Sequence, residues 1–274
     1  MEIKRVWAIY FSATGTTKTV ITRVAGEAAR ILKAEEKTYD FTLPAAREGF
    51  PELGEGDLAV FGCPVYAGRV PNVLLPYLRT VKGNGALAVP VSLYGNRDFD
   101  DGLIELRDLL EAGGFHTIAG AAFIGEHSFS KVLAAGRPDA KDLEIADQFA
   151  RQVAEKAAAW DPSAPHAPAP VRGEEPIRPY YQPRDRKGNP IDIRKVKPKT
   201  SDACDNCGLC ARVCPMGSID PEDVRAFRGI CIKCGACIKK CPKGAKYYDD
   251  PGYLYHKEEL ELGYARRAEP ALFL

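Results

Sequence analysis

The sequence lacks the features of a nucleic-acid-binding, membrane-spanning or exported protein. Its 38 Lys and Arg residues nearly balance its 37 Asp and Glu residues and leave a formal net charge of +1, whereas nucleic-acid binding normally requires a basic excess or a basic stripe. No segment approaches the ~20 consecutive apolar residues of a membrane helix. The apolar residues 6–11 are too few for the core of a signal peptide, and no small-residue cleavage site follows them. We therefore expect a cytoplasmic protein with no membrane span and no nucleic-acid partner.

Cysteine is unevenly distributed along the chain. Eight of the nine cysteines lie between Cys204 and Cys241. Because thiols stay reduced in the cytoplasm, clustered cysteines favour metal ligation over disulfides. Metal ligation by clustered, reduced cysteines fits an anaerobic or low-oxygen cell best.

The distribution of proline along the chain indicates where its domains begin and end. The 274 residues are enough for about two domains, and nine of the 21 prolines fall within residues 161–200. That stretch has neither a helical nor a strand period, which predicts an extended, semi-rigid linker. We expect a first domain at 1–160, the linker at 161–200, a small domain at 201–250 and a C-terminal tail at 251–274 that packs across a domain.

The first 160 residues alternate short apolar runs with helical patterns. Strands are predicted at residues 3–10, 37–41, 58–62, 86–91 and 116–123. Helices are predicted at residues 16–32, 71–81, 98–112 and 140–160. This alternation predicts an α/β fold, in which a parallel sheet is covered by helices on both faces and ligands bind beyond the carboxyl ends of the strands.

The turn after the first predicted strand has the composition of a phosphate-binding loop. It carries hydroxyl groups at four of its six positions and a glycine at the bend, so hydroxyls, backbone N–H groups and the positive end of the next helix converge. Neither the triphosphate-binding nor the dinucleotide-binding glycine motif is present. A well-capped helix start is the alternative interpretation. The six residues are Ser12, Ala13, Thr14, Gly15, Thr16 and Thr17.

On this loop and its position after the first strand, residues 1–160 resemble a flavodoxin, whose first loop carries a Ser/Thr-x-Thr-Gly-x-Thr signature for the FMN phosphate. The resemblance implies a doubly wound, parallel, five-stranded sheet of order 2-1-3-4-5. It also implies that the loops after the third and fourth strands hold the flavin ring. Here those loops supply Pro64, Val65, Tyr66, Ala67 and Gly68, and Ser92, Tyr94, Gly95, Asn96 and Arg97.

Both loops contain groups that suit a flavin. Glycines let the backbone approach the ring, an aromatic side chain can stack on it, and Asn96 and Arg97 offer donors for its polar edge. Tyr66 and Tyr94 are the expected stacking residues, with ordinary packing as the alternative role.

Two further positions near this end of the sheet have common structural roles. Cys63 belongs to no cluster motif, and a free cysteine is more often a small buried hydrophobe than a nucleophile. His127, with Ser128 and Phe129, follows the last predicted strand and faces the ligand end of the sheet, although lone histidines are more often structural or solvated. The sequence identifies no catalytic residue.

The clustered cysteines form one motif twice. Each copy reads Cys-x2-Cys-x2-Cys-x3-Cys-Pro, the first from Cys204 to Pro215 and the second from Cys231 to Pro242. The repeat of all three cysteine spacings indicates two 4Fe-4S clusters, with structural zinc as the competing interpretation. These residues resemble the two-cluster bacterial ferredoxins, small α+β domains in which each motif lends its fourth cysteine to the other cluster. The resemblance implies one cluster on Cys204, Cys207, Cys210 and Cys241, and another on Cys231, Cys234, Cys237 and Cys214.

Five lysines surround the second motif. Each oxidised cluster with four thiolates carries about two negative charges, so nearby ammonium groups would offset that field and favour reduction or docking. Ordinary solvated surface lysines are the alternative. The five are Lys233, Lys239, Lys240, Lys243 and Lys246.

The two halves together resemble the family of fused flavodoxin–ferredoxin proteins. A flavin exchanges one or two electrons and each cluster exchanges one, so we expect the linker to fold back and bring a cluster near the FMN. The first hypothesis is an electron-transfer iron–sulfur flavoprotein that relays low-potential electrons to a partner protein, with a ferredoxin, a reductase or a terminal acceptor enzyme as redox partners and a homodimer as one assembly to test.

Two alternatives stay open. The second hypothesis is an FMN-dependent reductase of a small molecule whose clusters feed the flavin, and the third is a sensing or binding module with structural clusters. An enclosed cavity beside the ring, lined by groups such as Tyr66, Arg97 or His127, would favour the reductase.

Overall fold

The computed structural model describes all 274 residues, and a parallel sheet forms its centre. The strands are β1 (Arg5–Tyr10), β2 (Glu35–Asp40), β3 (Asp57–Pro64), β4 (Leu87–Tyr94), β5 (His116–Thr117) and β6 (Gly120–Ile124). The long strands pair in the order β2-β1-β3-β4-β6, all parallel, and β5 pairs with the start of β4. This order is that of a flavodoxin-like sheet, which confirms the predicted fold class.

Helices cover both faces of the sheet. They are α1 (Thr16–Leu32), α2 (Leu75–Leu78), α3 (Gly102–Ala112) and α4 (Ala140–Ala158). Apolar residues of α1 and α4 form one core with the sheet, and those of α2 and α3 help form the core on the other face. The helix predicted at 71–81 is reduced to a 3-10 turn at Asn72–Leu74 followed by the single turn of α2. Pro76 explains this, because it has no backbone N–H to bond the Asn72 carbonyl in a continuous helix.

The cysteine-rich part contains little regular structure. Its elements are β7 (Lys199–Thr200), α5 (Leu209–Arg212), α6 (Ala236–Lys239) and β8 (Lys246–Tyr247), and β7 pairs antiparallel with β8. Each one-turn helix begins after a glycine in the left-handed region, Gly208 at φ +71° and Gly235 at φ +77°. The two motifs therefore fold alike, and so short a domain depends on metal ligation for its stability.

The C-terminal tail packs across both parts of the chain. It forms α7 (Pro251–Gly263) and β9 (Ala271–Phe273). Tyr253 on α7 stacks on Tyr248, with ring centroids 3.9 Å apart, and β9 pairs antiparallel with β6. The tail thus covers a sheet edge that would otherwise be open, and it adds a strand that the five-stranded prediction does not contain. None of the helices is both long and apolar enough to cross a membrane.

The proline-rich linker is fastened to the sheet domain. It contains no helix or strand before Lys199, yet the Tyr180 hydroxyl donates to the Val70 carbonyl at 2.8 Å. The Tyr181 N–H donates to the Ala67 carbonyl at 2.8 Å. The linker therefore reaches the loop after β3. The boundaries at 160, 200 and 250 stay a prediction.

Candidate functional site

The predicted phosphate loop joins β1 to α1 through a strained glycine. Gly15 precedes the helix with φ +103°, a left-handed conformation that side chains rarely adopt. The Ser12 hydroxyl oxygen accepts a hydrogen bond from the Lys18 N–H at 2.9 Å, which links the start of the loop to the first turn of α1. Ser12 and Gly15 therefore shape the loop, while Ala13, Thr14, Thr16 and Thr17 line a cavity of about 60 Å³.

This small cavity lies at the carboxyl ends of the strands. Besides the phosphate loop, its walls come from the ends of β3 and β4 and from the loop after β6, here called the β6 loop (residues 125–130). The start of the 17-residue helix α1 gives it free N–H groups and a positive dipole end. The site fits a phosphate group.

A larger cavity of about 430 Å³ continues from the small one. Tyr66, Tyr94 and His127 line both. The larger cavity also contains Ala67, Gly68 and Arg97 of the predicted ring loops, and its volume lies within the ~300–1,000 Å³ typical of small-molecule sites. A phosphate site that opens into an aromatic-lined cavity fits FMN.

Two residues of the predicted ring loops, Ser92 and Asn96, line neither cavity. Ser92 is buried inside β4. The Asn96 side-chain amide donates to the carbonyls of Tyr264 at 2.7 Å and Arg266 at 2.6 Å, and its oxygen accepts from the Ala268 N–H at 3.2 Å. Asn96 therefore anchors the C-terminal tail instead of offering a donor to the ring. Pro64 lines only the smaller cavity.

His127 packs closely against the backbone of Gly95. A Cβ atom at Gly95 would lie 2.3 Å from His127 Cδ2, so only glycine fits there. The His127 Nδ1 accepts a hydrogen bond from the Phe129 N–H at 3.1 Å, which leaves Nε2 as the protonated nitrogen of a neutral ring. Burial, assisted by the charge of Lys239, lowers the pKa of His127 to about 3. At neutral pH the cavity therefore contains an uncharged imidazole.

The linker and α7 contribute to the wall of the larger cavity but not to that of the smaller one. Tyr180 and Tyr181 of the linker and His256 of α7 line the larger cavity. The Arg97 guanidinium lies over the Tyr181 ring, 4.7 Å from its centroid, and is paired with Asp100. Sequence reasoning missed Tyr180, Tyr181 and His256 because neither the linker nor the tail has a period or motif that signals a site.

The structure brings the eight clustered cysteines together in the two predicted sets. Cys214, Cys231, Cys234 and Cys237 line one small cavity, and Cys204, Cys207, Cys210 and Cys241 line another. No set converges on a point as the ligands of a single ion would, whereas the thiolates of a 4Fe-4S cubane stand apart at its corners.

Backbone N–H groups point at two of these sulfurs in equivalent positions. The Ser218 N–H donates to Cys214 Sγ at 3.3 Å, and the Ala245 N–H donates to Cys241 Sγ at 3.3 Å. Each donor lies four residues after the fourth cysteine of its motif. Such bonds stabilise negative charge on a cluster.

The two cysteine sets differ in their exposure. Cys207 of the first set is exposed, whereas Cys234 of the second is buried and joins the apolar core of the sheet domain. Burial raises the pKa of Cys234 to about 12, so at neutral pH its thiolate requires a bound cation. Metal coordination supplies that charge, because a ligating thiol loses its proton outright. The donor set therefore fits iron.

Two of the five lysines near the second motif, Lys233 and Lys246, are buried, and Lys239 is half-buried, which corrects the solvated alternative for these three. Lys240 and Lys243 are exposed.

Comparison with known proteins finds similarities to each of the two parts. Residues 203–246 match the family model described as a 4Fe-4S dicluster domain. Three solved structures are similar over the sheet domain. A flavodoxin from the domain Archaea is 14% identical over 56% of this chain and 99% of its own, with a TM-score of 0.42. A Fusobacterium nucleatum flavodoxin bound to flavin mononucleotide is 15% identical over 56% and 99%, with a TM-score of 0.41.

The third is rubredoxin oxygen:oxidoreductase from the anaerobe Desulfovibrio gigas, 15% identical over 58% of this chain and 37% of its own, with a TM-score of 0.41. No curated protein matches the chain.

Proposed function

We propose that this chain, in which a flavodoxin-like sheet is joined to a ferredoxin-type 4Fe-4S domain, passes electrons between FMN and two 4Fe-4S clusters. The observation that carries the proposal is the shared wall of the larger cavity. Tyr66, Tyr94 and Arg97 of the predicted ring loops line it together with Cys231 and its neighbours Ile232 and Lys233. The flavin site and the second cysteine set therefore adjoin within one chain.

Different loops of the sheet domain would bind the phosphate and the ring of FMN. Thr14, Thr16 and Thr17 would hold the phosphate at the start of α1, and the loops after β3 and β4 would hold the ring. FMN supplies a carrier of one or two electrons beside one-electron clusters. Linker and tail residues would contact the outer side of the ring, since Tyr180, Tyr181 and His256 line the cavity.

The different exposure of the two cysteine sets suggests the order in which electrons would pass through the two clusters and FMN. Cys207 lies at the surface and Cys234 lies in the core. The cluster on the first set would thus exchange electrons with redox partner proteins, and the cluster on the second set would connect it to FMN. A ferredoxin, a reductase or a terminal acceptor enzyme is the class of partner that such a surface cluster serves.

An anaerobic redox titration of the reconstituted protein tests this function. Flavin and cluster absorption bands are followed together, and we expect reducing equivalents to redistribute between them. Thr14→Leu should release FMN and leave the clusters intact, while Thr22→Leu on the same helix, whose hydroxyl donates to the Lys18 carbonyl at 2.9 Å, serves as the matched control. If equivalents never redistribute, the proposal fails. If the clusters cannot be reduced at any accessible potential, their role is structural.

The size and lining of the larger cavity favour a second candidate function, an FMN-dependent reductase of a small molecule. The cavity has a volume of about 430 Å³, and Tyr66, Arg97, His127 and Tyr181 line it. Anaerobically reduced protein mixed with small quinones, nitroaromatics or free flavins would then be reoxidised with saturation kinetics. Tyr181→Ala should raise KM for the acceptor. Reoxidation that stays linear in acceptor concentration would leave only the protein relay.

A further inference from the structure

Lys239 connects the second cysteine motif to the wall of the flavin cavity. It lies on α6 between Cys237 and Cys241, and its side chain is only 14% exposed. Its ammonium group donates to the Glu126 carboxylate, to the His127 carbonyl at 2.7 Å and to the Ser130 carbonyl at 3.0 Å. All three donors of the ammonium group are therefore used, and all three acceptors belong to the β6 loop.

The β6 loop lines both cavities. Glu126, His127 and Ser128 line the smaller cavity, and His127, Ser128 and Phe129 line the larger one. Any movement of α6 relative to this loop would consequently change the distance between the second cysteine set and the flavin site.

A second contact shows how closely α6 approaches the loop. A Cβ atom at Gly235 would lie 2.6 Å from the Ser128 carbonyl oxygen, so the helix start and the loop backbone touch without an intervening side chain. The neighbouring Cys234 and Ala236 join the core of the sheet domain. Lys239 holds the other end of the same short helix, so the second motif is fixed at both ends.

We propose that Lys239 is a positioning residue for electron transfer, holding the second cluster at a fixed distance from FMN. The proposal rests on the proposed function. In the step concerned, one electron leaves the reduced second cluster, which returns to its oxidised state, and reduces FMN by one electron. No bond forms or breaks, so the rate depends on the separation and relative orientation of the second cluster and FMN, and it should fall when that separation increases.

The test measures the rate of this exchange in holoprotein loaded with FMN and iron. A laser flash reduces the flavin, and transient absorbance follows its equilibration with the clusters. Lys239→Met should slow the exchange several-fold, with FMN content and iron content unchanged. Lys239→Arg, which keeps the charge and several donors, should restore part of the rate. Lys243→Met is the matched control, because Lys243 is 53% exposed and pairs only at 3.7 Å with Asp205.

A second measurement separates position from electrostatics and from function. Hydrogen exchange of the β6 loop amides should increase in Lys239→Met and stay unchanged in Lys243→Met. In Lys239→Met, the reduction potentials of the flavin and the clusters could shift while hydrogen exchange of the β6 loop amides stays unaltered. Lys239 would then act through its charge, and the proposal would be overturned. If Lys239→Met loses its cluster, Glu126→Gln removes the charged acceptor without altering the motif, and an unchanged rate there overturns the proposal.

The wild-type protein distinguishes this proposal from the proposed function. Absence of flavin–cluster exchange in the wild type would contradict the proposed function itself. Exchange in the wild type at the same rate as in Lys239→Met would contradict only the role of Lys239.

Discussion

Replacing Asp101 by Asn should detach the proline-rich linker from the sheet domain. Asp101 precedes α3 and is completely buried. Its carboxylate accepts hydrogen bonds from the Arg178 side chain at 2.9 and 2.5 Å and from the backbone N–H groups of Arg178 at 2.8 Å and Glu174 at 3.1 Å. Arg178 and Glu174 both belong to the linker, so one carboxylate holds this part of it.

The magnitude follows from the pKa of this carboxyl. The hydrogen bonds from Arg178 lower the pKa of Asp101 from 3.8 to about 2. At 1.36 kcal/mol per pKa unit, this corresponds to roughly 2 kcal/mol in favour of the ionised form. The stabilisation is present above about pH 4 and is lost as the pH falls towards 2. An Asn side chain lacks the charge, and roughly 2 kcal/mol corresponds to an about 30-fold larger population of the detached linker.

Limited digestion with chymotrypsin measures this population, because Tyr180 and Tyr181 lie next to Arg178. When opening and closing are fast, the cleavage rate follows the open fraction. We expect cleavage after these tyrosines to be about 30-fold faster in Asp101→Asn. Asp192→Asn is the control, since its partner Arg194 is 84% exposed and such pairs contribute only about 0–1 kcal/mol. Equal cleavage rates in Asp101→Asn and the wild type would refute the reasoning.

Three further predictions concern single residues of the site. Gly15→Ala would strain a backbone at φ +103°, at a cost of about 1–2 kcal/mol, and should weaken FMN binding in a fluorescence titration of the apoprotein. Burial raises the pKa of the Cys63 thiol, so iodoacetamide should modify Cys63 only after unfolding, as measured by mass spectrometry. The pKa of His127 is lowered from 6.5 to about 3, so the unfolded chain binds a proton that the folded chain does not. Stability should therefore fall by about 1 kcal/mol between roughly pH 7.5 and 5.5, and His127→Gln should remove this dependence in denaturant unfolding at each pH.

The sheet domain was predictable because its signals are local. Val20, Val24 and Ala28 recur at the helical period and are buried in α1, and buried parallel strands such as β3 and β4 appear as short apolar runs. The helix prediction failed where a proline interrupted a helical pattern of apolar residues. Pro76 lies within the predicted helix 71–81, and only one α-helical turn forms there.

The site was predictable only where a motif is contiguous. The phosphate loop and the cysteine spacings are short strings whose geometry is fixed by the residues themselves. Asn96 has the right chemistry for a flavin donor, but the tail, 168 or more residues away in sequence, takes its hydrogen bonds. Tyr181 and Lys239 reach the site through packing of distant segments, and no local pattern encodes such contacts.

The buried lysines suggest that cluster assembly and domain packing are coupled. The Lys233 ammonium group donates to the carbonyls of Arg194 at 2.8 Å and Cys231 at 2.9 Å, and that of Lys246 donates to the Thr200 hydroxyl at 2.6 Å. Neutral oxygens satisfy the hydrogen bonds but do not balance the charge, and a buried charge without a counter-charge is costly. Each oxidised cluster brings about two negative charges to the same region. We therefore expect iron binding to stabilise the positions of these lysines as well as the cysteine loops, so that the cavity wall formed by Cys231 and Lys233 is complete only when the second cluster is present.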